Sequence, residues 1–457
     1  MKVSENTKTA FSNTSSHKSL KIYFPDLDYL VSKEQIYQET LSLEEALIEG
    51  SNIEFVGCIS SEFNIQINGV LPNIKNQKIE VFISADNTEE IPLFKGFVKS
   101  AERQTNKNYK KIVAYDELYT KGNIDVAAWY NSLAFPISIK AFREILFEYI
   151  GLEQENTDLP NDLLIINKEY APTTLRAISL IKAVCQINGA FGIINRHGIF
   201  EYRILSRSLG KGTYPGLTLF PGATTYPGIS EMEEENGKTI EVKDIAYYKK
   251  VDYEEYSVKP VEKVTIRQSD SDIGVSFGDG ANNYIVQGNF FTLNKNANEL
   301  QKVAKNIHGA ISGIEFVPFN AENSGYPFVE VGLDGVSYYA YNFEASANAR
   351  NRDIYTKKTF YVFKRTLSGI QALKDIYSVQ GEEYQREFIT DVSTQVEQIK
   401  QNIGYEVNTQ LQFALPEFTY SKEEINVMSV KVVSVEKLPD IWQPNTIYLI
   451  QGEVVVD

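Results

Sequence analysis

The sequence is poor in the side chains on which most metal sites and sulfur chemistry depend. Its 457 residues include two cysteines, three histidines, three methionines and two tryptophans. Cys58 and Cys185 are far apart in the chain and have no His or Asp beside them, so neither has the spacing of a metal ligand. We therefore expect two buried thiols, no metal site and no cofactor.

Motifs of common hydrolases are also scarce. The HExxH pair of zinc proteases and the GxxxxGK spacing of a phosphate loop are absent. His17 is expected in the N-terminal arm, His197 in a hairpin turn, and His308 at a helix end, where a cation suits the helix dipole. We expect no catalytic residues. A glycosidase needs only two carboxylates brought together by the fold, so that alternative stays open.

Long apolar runs are missing as well. The first twenty residues lack the apolar centre of a signal peptide, and no later run approaches the ~20 residues of a membrane span. The chain is therefore predicted to be made and folded in the cytoplasm, without a membrane span. Residues 1–20 are rich in Ser, Thr, Asn and Lys, which indicates a flexible arm or one that becomes ordered on a partner.

Positive charge is in deficit. The 60 Asp and Glu outnumber the 45 Lys and Arg, giving a net charge of -15, which argues against a surface that wraps phosphates. Aromatic residues are abundant, with 28 Tyr and 25 Phe. They are compatible with large protein interfaces and equally with β-rich cores.

The hydrophobic pattern changes along the chain in a way that predicts an α+β, β-rich protein. Residues 21–134 alternate with period two, which predicts an antiparallel β domain. Residues 135–208 predict an α+β domain with helices at 138–151 and 174–188, ended by Gly151 and Gly189, and a hairpin turning at His197 and Gly198.

A linker and a second β domain follow. Between residues 209 and 238 an aromatic-Pro-Gly step recurs every six residues, at Tyr214, Phe220 and Tyr226, which predicts an extended ribbon. Residues 239–368 predict a second β-rich domain with one helix at 296–308. Its SDSDIGVSFGDG segment indicates a turn, with a calcium loop through Asp270, Asp272 and Asp279 as the alternative.

Residues 369–412 are predicted to be helical. Within FITDVSTQVEQIKQNI, residues 388–403, a stripe of β-branched residues follows a 3-4-3-4 spacing. β-Branched residues at both seam positions of a coiled coil favour three or four strands over two. The predicted oligomer interface consists of Ile389, Val392, Val396, Ile399 and Ile403. The alternative is a helix that packs its stripe on its own domain.

Five segments of the chain carry a resemblance to a known family. They are FKGFVKSAERQTNKNYKKIVAYDELY, AAWYNSLAFPISIKAFREILFEYIGLEQENTDLPND, VCQINGAFGIINRHGIFEYRIL, the aromatic-Pro ribbon, and RTLSGIQALKDIYSVQGEEYQRE. In the same order throughout, they resemble the tail hub proteins of tailed phages and prophages of Gram-positive bacteria, also called tail-associated or minor structural proteins. The similarity spans residues 20–387.

The resemblance implies a baseplate-hub-like homotrimer at the tail tip of a virion. In that family two β-barrel-like tube domains per subunit build a ring under the tail tube, so the implied partners are distal tail and tail tube proteins. The β-branched coil would hold the trimer together. Three copies of a chain with a charge of -15 would carry -45, which suits passage of DNA without specific binding. An acidic outer surface gives the same total, and Lys107, Lys110 or Lys111 lining the bore would contradict the idea.

After the coil, the chain departs from longer family members, which often continue into a cell-wall hydrolase. Residues 413–457 contain three strand-like runs, MSVKVVSV, NTIYLI and EVVVD, too few for an enzyme domain. We expect a β attachment module for a fibre or receptor-binding protein, or a β cap that closes the trimer. A wall- or carbohydrate-binding adhesin is the second functional interpretation, and a wall-degrading glycosidase the third.

Overall fold

A computed structural model describes most of the chain. The described residues are 3–103 without 14, 49, 51–56 and 87, then 108–205 without 170, 240–341 and 355–384, and the strands within 387–391, 431–435 and 446–450. The chain forms two compact units, residues 1–395 and 396–457.

Helices are few and short in the described part of the chain. They are α1 Glu5–Ser12, α2 Glu117–Lys121, α3 Ala127–Ser132, α4 Ile139–Ile150, α5 Ala177–Asn188 and α6 Ala297–Ile311. None of these helices has the length and apolar character needed to cross a membrane.

Strands contain more than twice as many of the described residues as the helices do, so the α+β, β-rich class is confirmed. The first nine are β1 Lys18–Phe24, β2 Tyr29–Leu30, β3 Ser42–Ala46, β4 Glu62–Asn68, β5 Lys78–Ala85, β6 Ile91–Arg103, β7 Tyr109–Tyr115, β8 Ile137–Ser138 and β9 Ile165–Ile166. The next eight are β10 Phe191–Ile194, β11 Phe200–Arg203, β12 Glu241–Asp244, β13 Tyr248–Tyr253, β14 Lys263–Arg267, β15 Val275–Gly278, β16 Asn283–Gln287 and β17 Phe319–Ser324. The last seven are β18 Asp334–Tyr341, β19 Tyr355–Tyr361, β20 Lys364–Ser368, β21 Lys374–Val379, β22 Glu387–Asp391, β23 Lys431–Val435 and β24 Thr446–Ile450.

The two predicted β domains share one sheet. Eleven strands run in the order β13-β17-β21-β20-β3-β4-β7-β6-β5-β1-β2, which leaves two free ends rather than a closed barrel. The halves meet where β3 pairs antiparallel with β20, from Ser42 opposite Ser368 to Ala46 opposite Lys364. We call this pairing the seam. Strand β21 lies in the same sheet, so the second β domain extends beyond its predicted end at residue 368.

In the first half of this sheet, buried and partly exposed side chains alternate along the strands. Strands β1, β4 and β5 alternate between buried and partly exposed positions, as expected when one face of a sheet covers the core. Phe24, Phe63 and Ile79 are among the residues with no exposed surface in this core. Burial of such side chains contributes about 1.5–3 kcal/mol each.

The α+β region follows its local signals closely. Ser138 caps α4 by accepting a hydrogen bond from the Ala141 amide, and Gly151 ends the helix with a φ of 65°. Helix α5 ends at Gly189, with a φ of 60°, but begins three residues later than predicted. Strands β10 and β11 form the predicted hairpin, with Gly198 at a φ of 85°. These positive φ values favour glycine, which explains why all three elements were predictable.

The second β region contains the third predicted helix. Asn296 and Glu299 form a capping box at the start of α6, which continues three residues past His308. Beside it, β14 pairs antiparallel with β15 and parallel with β16, and β16 pairs parallel with β22. This small sheet packs on one side of α6.

Two predictions about irregular and helical regions were wrong. The expected flexible arm at residues 1–20 contains α1 and the start of β1, because Phe11 packs edge-on against Tyr326 and Phe328 at centroid distances of 5.6 and 5.2 Å. Region 369–412 is not helical where it is described, since β21 and β22 occupy 374–379 and 387–391. Their β-branched and aromatic residues suit strands that have partners to pair with.

Two predicted regions fall wholly or partly outside the described residues. The ribbon at 209–238 is one of them. In the C-terminal unit, β23 and β24 pair parallel and correspond to the predicted runs MSVKVVSV and NTIYLI, whereas EVVVD lies outside the described residues.

Candidate functional site

The three histidines occupy separate structural positions. The His17 backbone amide donates a hydrogen bond to Asp86 Oδ1 at 2.8 Å. His197 lies in the β10–β11 turn, where its amide donates to Asn195 Oδ1. The His308 ring packs edge-on against Phe277 and forms a hydrogen bond with the Glu262 carbonyl oxygen. Each histidine therefore has a structural role of its own.

One segment, residues 274–278, has the GxSxG spacing of a hydrolase nucleophile. That motif requires a serine at a sharp turn between a strand and a helix. Ser276 instead lies within strand β15, and its hydroxyl forms a hydrogen bond with Thr265 Oγ1 at 2.9 Å. His308 contacts Phe277, the residue after Ser276. Successive side chains of a strand point to opposite faces, so Phe277 and Ser276 face opposite sides of β15. The geometry of a serine–histidine pair is therefore absent at this segment.

The Asp-rich turn before this segment uses its carboxylates for the fold. Asp272 accepts hydrogen bonds from the backbone amides of Gln268 and Gly274, which hold the pKa of its carboxyl below the ordinary value. Asp270 accepts a hydrogen bond from Gln287. Within the described part of the chain, no group of three or more His, Cys, Asp or Glu has the arrangement of a metal site.

The predicted oligomer interface is only partly described. Ile389 lies in strand β22 opposite Ile285, so it is not part of a helix as predicted. Val392, Val396, Ile399 and Ile403 lie outside the described residues. Of the three lysines that would contradict an acidic bore, Lys110 and Lys111 lie in β7, and Lys107 is not among the described residues.

Among the described residues, a buried cluster of charges lies across the seam. It consists of Glu45 on β3, Arg365 on β20, Asp375 on β21 and Arg196 at the tip of the β10–β11 hairpin, with Tyr326 beside them. We call these five residues the charge cluster. It joins the first β region, the α+β region and the second β region.

Arg365 is the centre of the charge cluster. Its Nη1 donates to Glu45 Oε2 at 2.7 Å and its Nε donates to Asp375 Oδ1 at 2.8 Å. Both Arg365 and Asp375 are completely buried. Asp375 also accepts a hydrogen bond from the Tyr377 hydroxyl at 2.6 Å, so each of its carboxylate oxygens has a donor. Such pairs tolerate burial only when these partners are present.

Arg196 brings the α+β region to the same carboxylate. Its Nη2 lies 3.6 Å from Glu45 Oε2, and its Nη1 donates a hydrogen bond to the Tyr326 hydroxyl. Both guanidinium groups lie over the Tyr326 ring, Arg365 at 4.9 Å and Arg196 at 5.6 Å from its centroid. Stacking of this kind favours arginine over lysine at both positions.

Burial and the neighbouring arginines act in opposite directions on the Glu45 carboxyl. Burial by itself raises the pKa of Glu45, but Arg196 and Arg365 outweigh it and hold the pKa below its ordinary value. Nearby Asp116 shows the opposite result, since burial outweighs the hydrogen bonds that its carboxylate accepts and raises its pKa to about 7. Its carboxylate caps α2 and accepts from the Ser61 and Leu118 amides.

The space next to the charge cluster is too small for a substrate. Glu45, Asp116 and Arg196 are among the residues that line a cavity of about 10 Å³. That volume is room for about one water molecule. The charge cluster therefore has the properties of a structural joint between domains rather than of an active site.

A sequence signal for the charge cluster exists. Glu45 is in phase with Leu41, Leu43 and Leu47 on the buried face of its strand. Arg365 is likewise in phase with Phe363 and Leu367, and Asp375 with Leu373 and Tyr377. A single charge within an apolar alternation is therefore the pattern that indicates a buried ion pair here.

Comparisons with known proteins return tail proteins among solved structures. Two of these are the tail protein from Neisseria meningitidis MC58, at 12% identity with a TM-score of 0.44, and the prophage MuSo2 43 kDa tail protein from Shewanella oneidensis, at 10% and 0.47. A third is prophage tail protein gp18 from Listeria monocytogenes EGD-e, at 9% and 0.45. They cover 79%, 79% and 84% of this chain, and 96%, 98% and 99% of their own chains are covered.

No family model matches the chain, and no curated protein does. The similarity in structure extends over most of the chain, but its identities and TM-scores assign neither a family nor a function by themselves.

Proposed function

We propose that the chain is a structural hub protein at the tail tip of a phage or prophage, without enzymatic activity. In this role it forms a trimeric ring that closes the tail tube, carries tip components for host attachment and lets the genome pass. The observation that carries the proposal is the ordered series of five segments that resemble tail hub proteins, across residues 20–387.

The architecture of the first unit supports this role. A ring component has to keep its domains in fixed positions when other proteins dock on it. Here the two β regions share one sheet of eleven strands, and the charge cluster crosses the seam between them. The α+β region is tied to the same point through Arg196. These connections suit a rigid building block.

The proposed trimer contact lies after strand β22. Because Ile389 belongs to that strand, the stripe available for a coiled coil consists of Val392, Val396, Ile399 and Ile403. β-Branched residues at both seam positions favour more than two strands. The proposed partners are the distal tail and tail tube proteins, with a fibre or receptor-binding protein at the C-terminal unit.

Light scattering on the purified chain tests the proposal. We expect the full chain to have the mass of a trimer, and a version that ends at Gln395 to have a lower mass. Ending the shorter version at Gln395 keeps strand β22, which a cut before Glu387 would remove from its sheet.

Single substitutions make this test more specific. Val396→Asp places a charge within the stripe and should lower the mass, whereas Glu397→Ala, one position away and outside the stripe, should leave it unchanged. A full chain that stays monomeric at high concentration and forms no rings in electron micrographs would contradict the hub role.

Incubation with peptidoglycan distinguishes the other functional interpretations. Release of reducing ends or free amines would indicate a wall-degrading enzyme. Retention on the walls without release would indicate an adhesin. For a hub alone, we expect neither result.

A further inference from the structure

Two thiols meet where the first β region contacts the α+β region. Cys58 Sγ lies 3.5 Å from Cys185 Sγ, although 127 residues separate them in the chain. Cys185 is fully buried and Cys58 is 6% exposed, so the prediction of two buried thiols is confirmed. No other cysteine is present in the chain to compete for either sulfur.

The backbone around both sulfurs fixes their positions. The backbone of Cys58 forms an isolated parallel β-bridge with Gly192 in β10. The Gly192 amide donates a hydrogen bond to the Gly57 carbonyl oxygen at 2.8 Å. A Cβ at Gly192 would lie 2.7 Å from Cys58 Sγ, so this glycine leaves the room that the thiol occupies. Cys185 lies in the last turn of α5, where its carbonyl accepts the Gly189 amide that closes the helix.

From this geometry we propose that Cys58 and Cys185 form a modification site, at which a small two-electron oxidant such as hydrogen peroxide joins them in a disulfide. A disulfide has a sulfur–sulfur distance of about 2.05 Å, so the two sulfurs need to approach by about 1.5 Å. A change of that size is within the range of side-chain rotation and small backbone movement.

The reaction has two steps. Cys58, the more exposed thiol, loses its proton and attacks peroxide. A sulfur–oxygen bond forms, the oxygen–oxygen bond breaks, and hydroxide leaves and takes up a proton as water. Cys185 then attacks the sulfur of the Cys58 sulfenic acid and gives its proton to the departing oxygen. The sulfur–sulfur bond forms, the sulfur–oxygen bond breaks, and a second water leaves. Overall the thiols lose two protons and two electrons, and peroxide is reduced to two waters.

The surroundings explain when the bond would form. Burial raises the pKa of the Cys185 thiol well above its ordinary value, which keeps this sulfur protonated and slow to react. In a reducing cytoplasm the pair therefore stays as thiols, and it closes after transfer to an oxidising medium. The closed bond covalently joins the first β region to α5. Since both cysteines belong to one chain, this proposal does not depend on the tail role.

The experiment uses the full-length chain, first reduced and then freed of reductant. After treatment with hydrogen peroxide, the remaining thiols are alkylated in denaturant and the protein is analysed by intact mass and peptide mapping. We expect the intact mass to be that of a single polypeptide in which neither cysteine is alkylated. Peptide mapping should then give one pair of peptides, joined through Cys58 and Cys185, that separates on reduction.

Two matched variants serve as controls. Cys58→Ser and Cys185→Ser should form no internal cross-link, and in Cys185→Ser a sulfenic-acid probe should label Cys58. The oxidised wild type should have a higher Tm than the reduced wild type, and neither variant should show this difference. The proposal is overturned if both thiols remain fully alkylated after oxidation, if disulfides join only separate chains, or if oxidation leaves the Tm of the wild type unchanged.

Discussion

Glu44 and Glu45 are neighbours in strand β3, but their side chains face opposite environments. Glu44 forms a 2.5 Å ion pair with Lys364, in which both side chains are almost half exposed. Glu45 contacts two buried arginines inside the seam. The same chemical group therefore serves two different purposes at consecutive positions, which makes the pair a natural internal comparison.

Removing the charge of Glu45 should be costly. In Glu45→Gln, Arg365 keeps its ion pair with Asp375, but both Arg365 and Arg196 lose the Glu45 carboxylate inside the fold. We therefore expect the free energy of unfolding to fall by about 3 kcal/mol. Glu44→Gln, which breaks only the exposed pair, should change it by less than about 1 kcal/mol. Urea unfolding followed by fluorescence measures both values. Equal losses in the two variants would show that the charge cluster has no special contribution.

Asp116 gives a prediction about pH. Burial raises its pKa from an ordinary value of 3.8 to about 7, so between these values the folded state keeps a proton that the unfolded state has lost. Its contribution to stability is therefore present at low pH and is lost as the pH rises towards 7. From pH 5 to pH 7 this loss amounts to about 2 kcal/mol.

The Asp116→Asn variant tests this assignment because its side chain stays neutral. Its unfolding free energy should fall less between pH 5 and pH 7 than that of the wild type, by about the same 2 kcal/mol. The comparison of slopes removes any constant effect of the substitution on the α2 cap. If the free energy of unfolding changes with pH equally in the variant and in the wild type, groups other than Asp116 cause the pH dependence.

At the scale of elements, helices α5 and α6 meet at a glycine. Gly189 ends α5 with a φ of 60°, and a Cβ there would lie 2.7 Å from Ile311 Cγ2 and 3.0 Å from Ala310 Cβ. Gly309 lies in α6 two residues before Ile311, and a Cβ there would meet nothing within 4 Å. One glycine is therefore required by the packing, and the other is not.

We expect opposite results from alanine at these two positions. Gly189→Ala combines a left-handed φ with a steric conflict and should lower the free energy of unfolding by about 1–3 kcal/mol. Gly309→Ala improves helix propensity in open space and should raise it by about 0.5–1 kcal/mol. Thermal unfolding by circular dichroism measures both. Two losses of similar size would mean that the α5–α6 contact does not select for glycine.

Elements defined by local signals were predictable from the sequence. The bounds of α4 and the start of α6 follow from the capping residues Ser138, Gly151 and Asn296, which act within one turn. Helix α1 and strand β22 were not predictable in this way. Phe11 is buried by residues near position 326, and β22 depends on a parallel partner a hundred residues earlier, so the deciding contacts lie far away in the chain.

The charge cluster likewise has one part that local sequence patterns predict and another that depends on distant contacts. The apolar alternation around Glu45, Arg365 and Asp375 is visible in the sequence and places each charge on a buried face. Their assembly depends on the pairing of β3 with β20, which no local pattern specifies. The role of Arg196 depends in addition on how the hairpin of the α+β region docks on the sheet.

For the whole molecule, the seam makes a prediction about cooperativity. Because the two β regions share a sheet and a buried charge cluster, we expect residues 1–395 to unfold in one calorimetric transition. Arg365→Ala leaves Glu45 and Asp375 without their shared partner and should separate that transition into two or broaden it strongly. Two resolved transitions in the wild type would show that the halves of the sheet unfold independently.

The seam also determines when this protein can finish folding on the ribosome. Glu45 and its partner Arg365 are 320 residues apart, and translation at ~5–20 residues per second separates their synthesis by roughly 15–60 seconds. Throughout that interval strand β3 is the unpaired edge of a nascent sheet, with a carboxylate on the face that will later be buried. Contacts of such high contact order form slowly. Completion of the sheet is therefore a late step, and the newly made chain is the form most exposed to aggregation.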